Sequence, residues 1–276
     1  MKRKILPGFT GILWMCLIPY LCTVSVNGAE TALTNRKFNV ELILPAAVAS
    51  QISDDYELET IKAQAVICRS EFYRRKETEE KRKMLQEVCE KLHPTYYLFH
   101  ISSSVYEKAV ADTAEEVLTL QEKLELLPYH EISAGRTRDG EDTLKSSEYA
   151  YLKSVESRMD KEAEEYLGST YVKARQMPEN LKIGKRDQAG YVTELLADGK
   201  KIEGEAFRQG LGLSSSNFTI QKIGDELRFL CKGKGHGLGF SQYGGNELVK
   251  KGKTYSEILE TYFPGMKITN INEIEN

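Results

Sequence analysis

One histidine stands inside an alternating glycine run, Gly233-Lys234-Gly235-His236-Gly237-Leu238-Gly239, and Phe240-Ser241-Gln242-Tyr243-Gly244-Gly245 follows directly. Imidazole, hydroxyl, amide and phenol lie close together here. Such groups orient sugar hydroxyls, and an imidazole also moves protons near neutral pH. Alternating glycine permits positive φ and close approach of a ligand or of another stretch of chain. His236 therefore has two roles open to it. It either faces a ligand or locks its own loop through a backbone hydrogen bond. Ser241, Gln242 and Tyr243 divide the same way, between sugar contact and loop scaffolding.

A second group lies near Asp54. Asp54, Asp55, Glu57 and Glu59 crowd the start of a segment in which Leu58, Ile61, Ala65 and Cys68 recur at helical spacing. Asp54 or Asp55 suits an N-cap, and the acids suit a first turn. Lys62 and Arg69, seven apart, share a face of this helix, whereas Gln64 lies nearly opposite Lys62. Arg69 reads either as a buried structural cation or as a substrate contact.

The elements that must position these groups are of both kinds. Phe38 to Val48 enters as a strand or turn. The helix beginning near Asp54 runs towards Arg75, a charged and more exposed helix follows from Lys76 to Lys91, and His93-Pro94 ends it. Ser104 to Glu116 reads as another helix. Strands then follow at Val117–Leu120, Leu124–Leu127, Tyr129–Ile132, Gly190–Leu196, after Asp198-Gly199, at Phe218–Ile223 and at Leu227–Cys231, with turns at Asp198-Gly199 and Gly224-Asp225. A helical first half and a strand-rich second half make an α+β protein.

Composition limits the rest. The 276 residues hold 38 Lys+Arg against 41 Asp+Glu, a net charge of −3, which argues against a nucleic-acid-binding stripe. Lys2, Arg3 and Lys4 precede an uncharged stretch from Ile5 to Ala29, the pattern of a signal peptide or a membrane anchor. The expected organisation is a leader or anchor over 1–29, a linker over 30–40 and one domain over 41–276. Cys16 and Cys22 fall in the apolar stretch. Cys68, Cys89 and Cys231 form no Cys-x-x-Cys pair and read as buried free thiols, with a Cys68–Cys89 bridge unsupported by spacing.

The glycine run resembles the C-terminal signature of the stage II sporulation protein D / LytB family, Gly-x-Gly-x-Gly-His-Gly-x-Gly-x-Ser-Gln-Tyr-Gly-Ala. Tyr255 to Gly265 resembles that family's ending, and Glu59-Thr-Ile-Lys62-Ala-Gln64-Ala-Val-Ile-Cys-Arg69-Ser70 resembles its Glu-Ala-Leu-Lys-Ala-Gln-Ala-Val-Ala-Ala-Arg-Thr helix. His130 and Ser133, within Tyr129 to Thr137, match its His-Ser-x-Ser-Gly-Gly-x-Thr loop. Tyr151–Ser157 and Phe207–Ser215 match further segments, so the resemblance covers about residues 38–270.

The resemblance implies a lytic transglycosylase fold with a substrate groove, acting on peptidoglycan glycan strands during engulfment in endospore formation. One carboxylic acid protonates the glycosidic oxygen and then acts as base for the sugar's own 6-hydroxyl, so a second carboxylate is not obligatory. In the family that acid is a Glu in a Glu-Met-Pro tripeptide. Here the position holds Gln51, in Gln51-Ile52-Ser53. A shifted register does not restore the acid, because no Glu lies between Glu41 and Glu57.

Two readings stand. Either the protein holds glycan without cutting it, as a scaffold or a modulator of another wall enzyme, or Asp54 or Glu59 has taken over as the acid. Lys62, Arg69, His130, Ser133, His236, Ser241, Gln242 and Tyr243 are the expected substrate contacts. No metal or other cofactor is expected, since His130 has no thiolate beside it and zinc needs three or four ligands. The implied partners are glycan strands and other sporulation proteins of the membrane and wall. The implied location is extracytoplasmic, membrane-anchored or secreted.

Overall fold

The computed structural model describes residues 40–75 and 105–274. The apolar segment over 1–29, Cys89 and the exposed helix over 76–91 lie outside the described residues. The chain divides into two units, residues 1–43 and residues 44–276.

The chain is helical from Val40 to Ala49 (α1), which corrects the expectation of a strand or turn over Phe38–Val48. Ala46, Ala47 and Ala49 have the highest helix propensity of any residue type, and they carry the helix past Pro45. The turn at Gln51–Glu57 then leads into α2, Leu58–Arg74. The expected cap at Asp54 or Asp55 is also corrected. Asp55 closes a local turn with Ser53, whose hydroxyl is 3.1 Å from Asp55 Oδ2. The N-cap is Glu57, whose own side chain makes no capping bond. Capping comes from a distant residue, Asn246, whose Oδ1 accepts from Glu57 N at 2.8 Å and from Thr60 Oγ1 at 3.1 Å.

α2 is the axis of the domain. Its residues from Thr60 to Phe72 are buried with the single exception of Lys62. Around it pack α3 (Val105–Asp112), β1 (Glu116–Leu120) and two C-terminal helices. Arg69 is fully buried and donates to Thr113 Oγ1 at 3.3 Å, to Val110 O at 3.1 Å and to Glu116 O at 3.1 Å. It thereby satisfies a C-terminal carbonyl of α3 and the carbonyl of the first residue of β1, groups that would be costly to bury unpaired. Of the two roles open to Arg69, buried structural cation and substrate contact, this geometry is that of the first. Because α2 is enclosed on nearly all sides, the opposed faces expected for Lys62 and Gln64 do not divide into a wet and a dry side.

Short elements follow: β2 (Lys123–Leu124), β3 (Tyr129–His130), α4 (Gly140–Leu144), β4 (Leu167–Lys173), β5 (Leu181–Arg186), β6 (Val192–Ala197) and β7 (Lys200–Glu203). After them come α5 (Gly204–Leu211), β8 (Phe218–Ile223), β9 (Glu226–Lys232), β10 (Phe240–Ser241), α6 (Gln242–Lys250), α7 (Tyr255–Tyr262), β11 (Lys267–Asn270) and α8 (Ile271–Ile274). They form several small sheets, in strand orders β11-β1-β2, β4-β9-β8 and β5-β6-β7, with β10 beside β3. The architecture is α+β. The two expected turns close the β6–β7 and β8–β9 hairpins; Asp198 and Gly199 both take positive φ, 49° and 82°, as a tight hairpin requires.

Two cores result. One gathers Val66, Ile67, Leu118, Phe240, Leu259 and Phe263 beneath α2. The other centres on Phe207, Phe218 and Phe229, whose rings lie 5.6 to 5.8 Å apart. Cys68 and Cys231 are buried free thiols.

Candidate functional site

The glycine run does not open outward. It threads between two other stretches of chain. β10 pairs parallel with β3, setting Phe240 against Tyr129 and Ser241 against His130, and single bridges join Lys234 to Ile132, Gly235 to Ser215 and Leu238 to Arg138. A Cβ at Gly235 would stand 2.6 Å from His130 Cβ, and one at Gly239 would run into Pro128 O. Both residues have positive φ, 113° and 66°, a region side-chain-bearing residues avoid. The glycines let the run lie close to neighbouring chain, against backbone at Gly233 and Gly239 and against the His130 and Tyr191 side chains at Gly235 and Gly237.

His236 is held from both sides. Its Nδ1 accepts from Leu238 N at 3.1 Å, and the ring makes a hydrogen bond with the Tyr129 backbone. Burial pulls its pKa below the ordinary range. His130 lies alongside, ring centroids 5.7 Å apart, with Nδ1 2.9 Å from Leu238 O. A carbonyl partner requires a proton on Nδ1, so in the neutral ring Nε2 is a bare acceptor; it is buried and has no hydrogen-bond partner among the described residues. Burial, reinforced by His236, depresses His130 to about 3. Both imidazoles lock the loop, as the alternative role for His236 had it, and the buried His130 is corrected as a sugar contact.

Ser133 and Ser241 are likewise fully buried. Asp160, which the sequence reading passed over, joins them. Its Oδ2 accepts from Ser133 N at 2.9 Å and from Ser241 Oγ at 2.9 Å. Burial raises its pKa despite these bonds. Its other oxygen faces Gly244 of α6, beside the Ser157–Tyr262 hydroxyl pair at 2.7 Å. The expectation that Ser133 and Ser241 contact sugar is corrected, because an anchored internal carboxylate holds both.

Gln242, first residue of α6, reaches the turn before α2. Its Nε2 donates to Gln51 O at 2.9 Å and to Gln64 Oε1 at 3.1 Å. Gln64 Nε2 in turn donates to Gln51 Oε1 at 2.7 Å. The Gln51 amide completes the chain with Nε2 3.3 Å from Cys68 Sγ. Gln51 is thus half-buried and turned onto α2, in a row of three amides.

The candidate carboxylates stand apart. Glu59 uses Oε1 on Lys62 Nζ at 2.8 Å and Oε2 on Tyr255 N at 2.8 Å, the first N–H of α7. Lys62 also meets Asp112 at 3.0 Å. Glu59 and Lys62 are therefore a brace between α2, α3 and α7, remote from Gln51 in their bonding. Asp54 is exposed at the tip of the turn and has no bond or ion pair among the described residues.

Of the expected contacts Tyr243 stays accessible, and Tyr56, Glu131 and Lys234 join it at the surface. Tyr56 is pushed up to about 12, first by burial and then by the charges of Glu131 and Asp160, so those acids lie close to it. Glu131 pairs with Lys234 at 2.6 Å and Lys234 with Glu165 at 2.9 Å. Tyr243 N donates to Glu131 O at 3.0 Å; its ring is half-buried, and its hydroxyl has no hydrogen bond among the described residues. Tyr56, Glu131, Lys234 and Tyr243 carry no spacing that would have marked them as a group. They come from three separate segments.

The fold and site define an α+β protein whose glycine-histidine loop and buried amide row are fastened around one central helix. A family model described as Stage II sporulation protein matches residues 29–120. The chain is 31% identical over 172 residues to Stage II sporulation protein D of Bacillus amyloliquefaciens, covering 58% of this chain and 50% of that protein. It is 31% identical over 179 residues to Stage II sporulation protein D of Bacillus subtilis strain 168, covering 61% and 52%. A shorter match, 39% over 56 residues, reaches the amidase enhancer of Bacillus subtilis, covering 20% and 8%. The chain is similar to the SpoIID family over these stretches. It spans about half the length of the stage II sporulation proteins D that it matches.

Proposed function

We propose that this protein engages peptidoglycan glycan strands during endospore formation, as a SpoIID-type component that holds the strand without a general acid at position 51. The observation that carries this reading is the Gln51 side chain, bonded to Gln64 and Cys68 where the family places its acid. An amide cannot give up and recover a proton near neutral pH. Loss of a general acid costs roughly 10²–10⁴-fold in rate. Tyr243 and Tyr56 are both half-buried, and such partly exposed aromatic rings suit a sugar-binding surface. The names of the relatives support a setting in sporulation and the cell wall. On this reading the domain works outside the cytoplasm, tethered or released by its N-terminal segment, alongside other wall proteins.

A second reading is favoured by Asp54. Its carboxylate is exposed and unpaired among the described residues, three positions beyond Gln51. As the acid it would make the protein a lytic transglycosylase in its own right.

Digestion of purified peptidoglycan by the full chain, Gln51→Glu and Asp54→Asn separates the two. Mass spectrometry of the products detects 1,6-anhydro ends. An inert native chain that binds glycan, with cutting by Gln51→Glu, is the expected result. Cutting by the native chain that Asp54→Asn abolishes selects the second reading. A chain that neither binds nor cuts removes both.

A further inference from the structure

Beside the turn that carries Ser133 and Gly135 lies a cavity of about 440 Å³, whose lining includes Ala134, Lys161, Tyr166, Arg186, Asn217 and Lys232. Three of its lining residues are cations and none is an acid. That balance is unusual for this chain, which pairs many of its cations; Lys234 alone meets two carboxylates. The ammonium groups of Lys161 and Lys232 have no hydrogen bond or ion pair among the described residues. Arg186 is fixed by carbonyls, donating to Gly190 O at 2.7 Å and Phe218 O at 2.7 Å, and Asp187 acts on it only through its field. Its neighbour Asp187 is committed elsewhere, to Arg138 Nε at 2.6 Å and Tyr191 N at 2.9 Å.

Gly135 has φ of 99°, and the flexible end of Lys161 lies over it in the space a Cβ would take. Tyr166 Oη and Asn217 Nδ2 donate to the Ala134 and Ala189 carbonyls, which stiffens the walls.

We propose that this cavity is an anion site that takes a carboxylate of the wall polymer. A fixed guanidinium flanked by two unpaired ammonium groups, with no acid in the lining, favours an oxyanion through charge-assisted hydrogen bonds. The choice of carboxylate rests on the glycan-strand reading. Peptidoglycan offers two sources, the lactyl carboxylate of a muramic acid freed of its peptide and the carboxylates of the stem peptide.

Calorimetric titration of the full chain tests this with five probes: a peptide-free disaccharide bearing the lactyl acid, a free stem tetrapeptide, the methyl ester of each, and inorganic phosphate. At least one acid should bind saturably and its ester should not. Lys161→Gln and Lys232→Gln, both at exposed positions, should each weaken that binding ~10-fold, as loss of one charge-assisted contact does. The acid that binds names the source. Equal binding of acid and ester, unchanged binding by the double variant, binding of neither acid, or binding of phosphate alone overturns the proposal. Acid binding in a chain that ignores whole glycan strands would remove the glycan reading and leave the site standing; glycan binding indifferent to the acid would do the reverse.

Discussion

Gln64 donates its side-chain amide to Oε1 of Gln51 at 2.7 Å, joining the central helix to the turn that precedes it. The same Gln64 accepts from Gln242 at 3.1 Å. One buried residue of α2 therefore fixes both the turn and the first residue of α6. The partners it presents to position 51, an amide N–H and the Cys68 thiol, would serve a carboxyl there as well as an amide.

Gln64→Leu removes the link while keeping similar volume. It leaves Gln51 Oε1 without its donor and takes one acceptor from Gln242. Each buried polar group left unsatisfied costs about 1–3 kcal/mol. Urea denaturation should show a lower midpoint with an unchanged slope. A midpoint equal to that of the native chain would mean the amide row carries no stability.

Gly244→Ala reverses the usual sign of a helix substitution. Alanine in place of glycine inside a helix ordinarily stabilises by about 1 kcal/mol. Here the new Cβ would run into Ser157 Oγ and Tyr262 Oη and stand 2.9 Å from Asp160 Oδ1. Overpacking of this kind costs about 1–3 kcal/mol, so the thermal midpoint should fall. A rise would show that α6 can move away from Asp160 freely.

His130 makes acid stability a test of the loop. The folded state holds it at about 3, against an ordinary 6.5. The unfolded chain therefore takes up a proton before the folded one does. The stability this contributes is complete above about pH 6.5 and is lost as pH falls towards 3. His130→Asn keeps a donor for Leu238 O but does not titrate. Across pH 7 to 4 the native chain should lose more stability than the variant. Parallel curves would show that His130 does not carry the acid response.

Arg69→Lys probes the buried cation. One ammonium cannot span Thr113, Val110 O and Glu116 O as the planar guanidinium does. At least one carbonyl should be left unpaired, at about 1–3 kcal/mol, with faster amide exchange at the end of α3 as the local readout. Native-like exchange there would argue that water replaces the lost donor.

Much of the fold was legible in local pattern. The β6–β7 and β8–β9 hairpins follow from Asp198-Gly199 and Gly224-Asp225, and α7 from its capping box of Thr254 and Glu257. β4 and β5 were not legible, because Leu167–Lys173 and Leu181–Arg186 are largely exposed on both faces and show no strong alternation of apolar residues. The start of α2 was placed early. Its cap is Asn246, far along the chain, and helix-capping rules read only neighbours.

The site divides along the same line. Residue types marked the glycine-histidine run, and the family resemblance marked the Lys-Ala-Gln helix and the glutamine at position 51, because those depend on covalent order and local conformation. Which side chains face inward was decided by tertiary structure. Ser133, Ser241, Gln242, His130 and Arg69 are polar residues of the kind that contact ligands, yet each is spent on a buried partner from another segment. Burial compels that pairing, since a polar group taken out of water without a partner is costly. Asp160, Tyr56 and the cavity at Lys161 acquire meaning only when distant segments meet, and no spacing along the chain records that meeting.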